Sequence, residues 1–285
     1  MAAETGAEVL GAAALALRSL GRIALCQIVR AEGSTPGKVG WKLLARPDGT
    51  FCGNLGGGAF EAMVKADAER LLAAGTAQAG VSGQRARGEI KRYYLTEEAV
   101  RGEPTGMVCG GMVEVFLEVI AAAPVLVICG GGPVGQALAR AAGLAGFEPL
   151  VVDDREPFRR AELFPEGTRL AAVDREYGQD FLAGVEWREL YVAVVSRCWE
   201  TDVTALAAVS RQAPRHLCYL GLMGSRRKVA RVRDELARRG VELAGARLRA
   251  PIGLPIGGNS PGEIAISILA EVIATRHETP ETSSN

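Results

Sequence analysis

The stretch CGGGPVGQALA, Cys129–Ala139, decides the reading of the second half of this chain. It contains Gly130-x-Gly132-x-x-Gly135, preceded by the short apolar run VLVIC and followed by the helical pattern VGQALARAAGLAG. A continuous apolar run is what a parallel strand buried on both faces requires. The next strand, EPLVVDD, ends in Asp153 and Asp154. Strand, glycine turn, helix and a carboxylate about twenty residues on form the dinucleotide-binding fingerprint. Glycines let the backbone approach a pyrophosphate, and the helix N-terminus offers free N–H groups and positive dipole. The carboxylate can then accept from ribose hydroxyls. A tight structural turn that holds nothing has the same sequence, because fold does not fix function.

Downstream, LYVAVVS (190–196) and HLCYLGLM (216–223) read as strands. Helices are expected near Val203–Arg211 and Lys228–Arg239. Ser260-Pro261-Gly262-Glu263 is a capping box with proline at the first helical position, opening IAISILAEVIATR. This alternation predicts a Rossmann-like, doubly wound parallel sheet over residues 123–285. Ahead of it, residues 1–122 form a separate α/β domain, bounded by Ala121-Ala122-Ala123-Pro124. Its expected elements are a helix near Val9–Leu20, strands at Ile23–Arg30, WKLLAR, IKRYYL and MVEVFLEVI, and a helix with Phe60, Met63, Val64 and Leu71 on one face.

Other glycine-rich turns invite ligands. Leu222-Met223-Gly224-Ser225-Arg226-Arg227-Lys228 opens a helix with three consecutive cations, which oppose the macrodipole unless an anion is present. Arg226, Arg227 and Lys228 are therefore candidate phosphate ligands, with Ser225 as N-cap or direct ligand, although a solvated basic turn accounts for them nearly as well. In the first domain, Gly53-Asn54-Leu55-Gly56-Gly57-Gly58 precedes a helix carrying Glu61 in its first turn. Cys109-Gly110-Gly111 precedes a strand, and a thiol there is a candidate soft ligand or sulfur carrier.

Composition excludes several classes. Thirty-three basic residues balance thirty-three acidic ones, so no global field draws the chain to nucleic acid or an anionic membrane. No apolar run reaches spanning length, and Glu4 and Glu8 stand where a signal peptide carries basic charge, so a cytoplasmic protein is expected. The six cysteines form no CxxC pair, and the two histidines, His216 and His277, cannot supply a His-rich metal site. No metal site of the protein's own is expected. An ordinary dehydrogenase needs a proton-transfer residue beside the hydride site. No such charged cluster is evident, so the turns read as binding devices.

Several long motifs together resemble the XdhC/CoxI family: EGSTPGKVGWKLL, GNLGGGAFEA and CGGMVEVFLE, then CGGGPVGQALA, VVDDR, YLGLMGSRRK and APIGLPIGGNSPGEIAISILAEVIA. The resemblance spans roughly residues 20–277. It implies an accessory factor, not itself a catalyst, for molybdenum hydroxylases such as xanthine dehydrogenase, carbon monoxide dehydrogenase and aldehyde oxidoreductase. Such a factor binds molybdenum cofactor, as molybdopterin or its cytosine dinucleotide form, while a cysteine desulfurase replaces an oxo ligand with sulfur, and passes it to the apo-hydroxylase. The candidate cofactor-binding residues are Gly56, Gly57, Gly58, Glu61, Cys109, Gly110, Gly111, Gly130, Gly132, Gly135, Asp153, Ser225, Arg226, Arg227 and Lys228. Departures from the family's commoner residues stand at Ala59, Trp199, Arg249 and Pro255, which suits a subgroup serving an aldehyde oxidoreductase-type client. NAD or another dinucleotide is a further candidate ligand of the second domain, and an NAD(P)-dependent oxidoreductase is the competing reading. The apolar helix IAISILAEVIA suits a dimer interface or packing on its own sheet, and a homodimer is the expected assembly.

Overall fold

The computed structural model describes residues 5–77, 86–95, 103–104, 110–185, 188–212, 217–243 and 248–277. Cys109 and His216 lie outside these residues. The chain divides into two compact units between Ala122 and Ala123.

In the first unit, α1 (Gly6–Leu20) begins at Thr5, whose hydroxyl accepts from the Glu8 amide while the Glu8 carboxylate accepts from the Thr5 N–H. Glu8 thus completes a capping box, and the Thr5 N–H and hydroxyl hold its carboxyl below the usual range. Gly21, in the left-handed conformation, ends the helix. The strands are β1 (Arg22–Glu32), β2 (Lys42–Ala45), β3 (Phe51–Gly53), β4 (Ala86–Tyr94), β5 (Glu103–Pro104) and β6 (Met112–Ala121). They make one sheet ordered β3-β2-β1-β6-β4-β5, antiparallel except for the β4–β5 pair. The 47–50 turn joins β2 to β3, with the Asp48 carboxylate accepting from both the amide and the hydroxyl of Thr50. Because strand side chains alternate, β1 serves two layers. Ala24, Cys26 and Ile28 meet Phe60, Val64, Ala68 and Leu72 of α2 (Gly58–Ala77), whereas Ile23 meets Val9, Ala13 and Ala16 of α1.

The second unit is built on β7 (Val125–Cys129), β8 (Glu148–Asp153), β9 (Arg169–Ala172), β10 (Leu190–Val194), β11 (Leu217–Leu222) and β12 (Leu248–Arg249). All neighbouring strands are parallel, in the order β9-β8-β7-β10-β11-β12. Numbered within the unit this is 3-2-1-4-5-6, the Rossmann order, and it reverses direction between β7 and β10. Its helices are α3 (Pro133–Leu144), α4 (Trp199–Gln212), α5 (Arg226–Arg238) and α6 (Pro261–His277). Val125, Val127 and Cys129 point into the layer with α4 and α5, and Leu126 and Ile128 into the layer with α3 and α6. The all-apolar VLVIC run is thus explained: both faces of β7 are covered. Burial pushes the Cys129 thiol up to about 12, and Cys26 in the first unit equally, so both act as small apolar side chains.

The capping box of α6 forms as the sequence suggests: Ser260 Oγ accepts from the Glu263 amide, and the Glu263 carboxylate accepts from the Ser260 N–H. Ala265, Ile268, Leu269 and Val272 of this helix pack on its own sheet. Trp199 packs against the α4–α5 core and carries the Arg231 guanidinium 4.0 Å from its ring centroid.

Candidate functional site

The crevice of the second unit lies at the C-terminal ends of β7 and β10, where the strand order reverses. Three glycines there have three different duties. A Cβ on Gly135 would lie 1.9 Å from the Gly130 carbonyl oxygen, so this glycine lets α3 press against the strand. One on Gly131 would lie 2.1 Å from the Phe158 carbonyl oxygen, so the segment after β8 closes onto the turn. A Cβ on Gly132 would meet nothing within 4 Å. Gly132 is the N-cap of α3, without a side-chain cap, and Pro133 follows it. The helix end therefore opens where an anion is favoured.

Asp153 has another role than the expected one. It is 2% exposed; its Oδ2 accepts from the Gly131 N–H at 2.8 Å, and Arg155 donates to both oxygens, Nε at 3.0 Å and Nη2 at 2.9 Å. The Arg155 amide adds a fourth bond at 2.9 Å. A carboxylate so engaged braces the turn from inside, which leaves it little capacity for a ribose diol. Arg155 in turn stacks on Phe158, 3.8 Å from the ring centroid.

Its neighbour Asp154 accepts a two-pronged bond from Arg197, Nη1 at 2.7 Å and Nη2 at 2.9 Å. The guanidinium holds the Asp154 carboxyl below the usual range. A third carboxylate, Asp202, is fully buried in the first turn of α4. It takes the Ser196 hydroxyl at 2.6 Å and the Lys228 ammonium at 2.6 Å. Burial pushes the Asp202 carboxyl up, against the pull of Lys228 and Ser196.

The basic turn is accordingly divided. Ser225 caps α5, accepting from the Lys228 amide at 3.3 Å. Lys228 bends back over Gly224 to Asp202 and the Met223 carbonyl, so its charge is already answered. Arg226 and Arg227 are exposed. The sequence marked Lys228 as equal to its neighbours, whereas only the adjacency of β10 and β11 sets it against Asp202.

In the first unit, three glycine-rich segments far apart in sequence converge. A Cβ on Gly37 would lie 2.2 Å from the Leu55 carbonyl oxygen, and one on Gly56 would lie 2.6 Å from the Pro36 carbonyl carbon. Likewise a Cβ on Gly111 would lie 2.3 Å from the Ser34 carbonyl oxygen, and Ser34 bridges to Gly110. The loops of EGSTPG, GNLGGG and the second half of CGG are thus pressed together. Gly56, Gly57 and Gly58 all have positive φ. Glu61 supports this loop by accepting from the amides of Leu55 at 3.0 Å and Gly57 at 3.1 Å, and it pairs with Lys65 at 2.8 Å. Burial raises its carboxyl, but Lys65 and the two amides outweigh that and hold it low. Gly57 and Gly110 face open space. The convergence was not legible in the sequence, which showed three glycine clusters without their contacts.

Among the described residues, no group of three or more His, Cys, Asp or Glu side chains could hold a metal ion, and no helix is long and apolar enough to cross a membrane.

The XdhC Rossmann domain model matches residues 126–272, and the XdhC and CoxI family model matches residues 16–82. The chain belongs to the XdhC and CoxI family. It is 32% identical over 263 residues to the uncharacterized protein YqeB of Escherichia coli, covering 90% of this chain and 44% of that one. To a protein of Bacillus subtilis named as a probable xanthine dehydrogenase subunit it is 30% identical over 166 residues, covering 56% of this chain and 46% of that one. The chain thus spans about half the length of these curated relatives, or somewhat less. A crystal structure of a xanthine dehydrogenase from Bacillus halodurans superimposes with a TM-score of 0.48 at 20% identity, covering 96% of this chain and 97% of that chain.

Proposed function

We propose that this chain is an accessory factor of a molybdenum hydroxylase of the xanthine dehydrogenase or aldehyde oxidoreductase type. It holds the molybdenum cofactor while a cysteine desulfurase sulfurates it, then delivers it to the hydroxylase. Family membership and the name of one relative support the setting. The observation that carries the reading is chemical. A main-chain turn opens to solvent at Gly132, while the carboxylates around it are each tied to a cation: Asp153 to Arg155, Asp154 to Arg197, Asp202 to Lys228. Such a crevice is built to grip an anion and leaves its acids occupied, which suits holding better than proton transfer.

The residues fit the phosphate end of the cofactor. The open amide end of α3 takes a terminal phosphate or diphosphate, with Arg226 and Arg227 available from α5. In the first unit, Gly57 and Gly110 leave open space beside a loop that Glu61 fixes, which leaves room for the rest of the cofactor. When bound, the cofactor supplies the metal centre used by the hydroxylase, while this chain supplies grip and shielding.

Purified protein incubated with molybdenum cofactor should retain it in stoichiometric amount after gel filtration. Gly132→Leu should abolish retention with the fold preserved. Hydride transfer from NADH to a small carbonyl, without retention of the pterin, would overturn the reading in favour of an oxidoreductase.

A further inference from the structure

Two carboxylates leave β8 side by side, and only one is needed to build the glycine turn. Asp153 turns inward to the Gly131 amide. Asp154 reaches sideways to Arg197, beyond the end of β10. Strands β8 and β10 are not neighbours, since β7 lies between them and carries the turn. This ion pair therefore links the two segments that flank the turn. On the β10 side, a Cβ on Gly130 would lie 3.2 Å from the Ser196 Cα, which places Arg197 one residue from the turn itself. The Asp154 side chain is 5% exposed, whereas the Arg197 side chain is 37% exposed, so the cation presents a solvent-facing side and its partner does not.

A guanidinium fork fits a carboxylate and a phosphate with the same two parallel bonds. We propose that Arg197 is a phosphate ligand of this unit and that Asp154 is its resting counter-ion. A diphosphate entering the turn takes over the fork and releases Asp154. The exchange rests on the reading that the Gly130–Gly132 turn holds phosphate. It adds a side-chain ligand and an intramolecular competitor, which makes the ligand-free crevice electrically balanced and sets the affinity below what the turn and Arg197 would reach unopposed. A ligand with one phosphate gains less, because it must choose between the helix amides and the fork.

The test is calorimetric titration of the full chain with ADP and CDP, against AMP and CMP, for wild type, Arg197→Met, Asp154→Asn and Gly132→Leu. Wild type should bind the diphosphates more tightly than the monophosphates. Arg197→Met should weaken diphosphate binding about tenfold or more, the scale of a lost charge-assisted bond. Asp154→Asn should tighten it severalfold, because the competitor is gone and the fork remains. Equal affinities in wild type, Arg197→Met and Asp154→Asn, with binding lost only in Gly132→Leu, would overturn the exchange and leave the turn standing. Weakening by Asp154→Asn would also overturn it, marking the pair as a strut. Absence of any binding to wild type would overturn both. Should Arg197→Met fail to fold, the rise in affinity of Asp154→Asn decides alone.

Discussion

The two glycine-rich regions reach similar ends by opposite routes. In the second unit, strand, turn and helix are consecutive, so the glycine turn is complete within Val125–Leu144 and each glycine's duty follows from its place. In the first unit, the loops come from around residues 34–37, 54–58 and 110–111, and contact between them is made only by the folded sheet. Both regions end with one or more glycines facing open space beside glycines jammed against backbone. Glycine is therefore used twice, once to let the chain pack on itself and once to leave room, and the two uses are separable by experiment.

The largest effect should come from breaking the packing use. Gly135→Ala places a Cβ 1.9 Å from a backbone oxygen that cannot swing away, and should destabilise the second unit by about 3 kcal/mol in urea unfolding. Gly37→Ala, whose Cβ would lie 2.2 Å from the Leu55 carbonyl oxygen, should destabilise the first unit similarly. If either variant unfolds like wild type, the packing argument for that region fails.

The intermediate effect contrasts the open glycines. Gly57→Ala enters open space but must adopt a φ of +77°, costing about 1 kcal/mol. Gly132→Ala also enters open space, with a φ of −67°, which any residue accepts, so its cost should stay near 0.5 kcal/mol, from the poorer N-cap. Thermal unfolding of the pair measures the difference. A larger loss at Gly132 would reverse the assignment of strain.

The smallest effect concerns one ion-paired carboxylate from each region, Glu61 and Asp154, both held below their usual range. Their unfolded values are about 4.3 and 3.9. Between the folded and unfolded values the unfolded chain binds more protons, so stability rises with pH there. Each contribution is complete above about pH 5 and is lost as the pH falls through the folded value. Glu61→Gln and Asp154→Asn should each cost under about 1 kcal/mol at pH 7, and the difference from wild type should shrink by pH 3 in denaturant titrations. A difference that stays constant with pH would show that the charge is not what stabilises.

Long elements with a clear period were legible: the helices α2 and α6, the apolar run of β7, the alternation along β6, and the capping box at Ser260. Short strands such as β3, β9 and β12 were not, since two to four residues carry no period. Trp199, one of the departures from the family's commoner residues, packs on the α4–α5 core and stacks on Arg231. The pairings of the candidate site were the least visible part. Asp153 with Arg155 is two residues apart and its signal was present in VVDDR, but Asp154 with Arg197 and Asp202 with Lys228 span 43 and 26 positions.

The sequence by itself determined that the second half is a parallel sheet with a glycine turn between its first strand and helix, because apolar runs, glycine spacing and helix caps act over neighbouring residues. Only the tertiary structure decided which charges remain available around that turn. An ion pair depends on which strands lie side by side, and parallel strands joined through helices bring together residues whose spacing in the chain carries no mark of the contact.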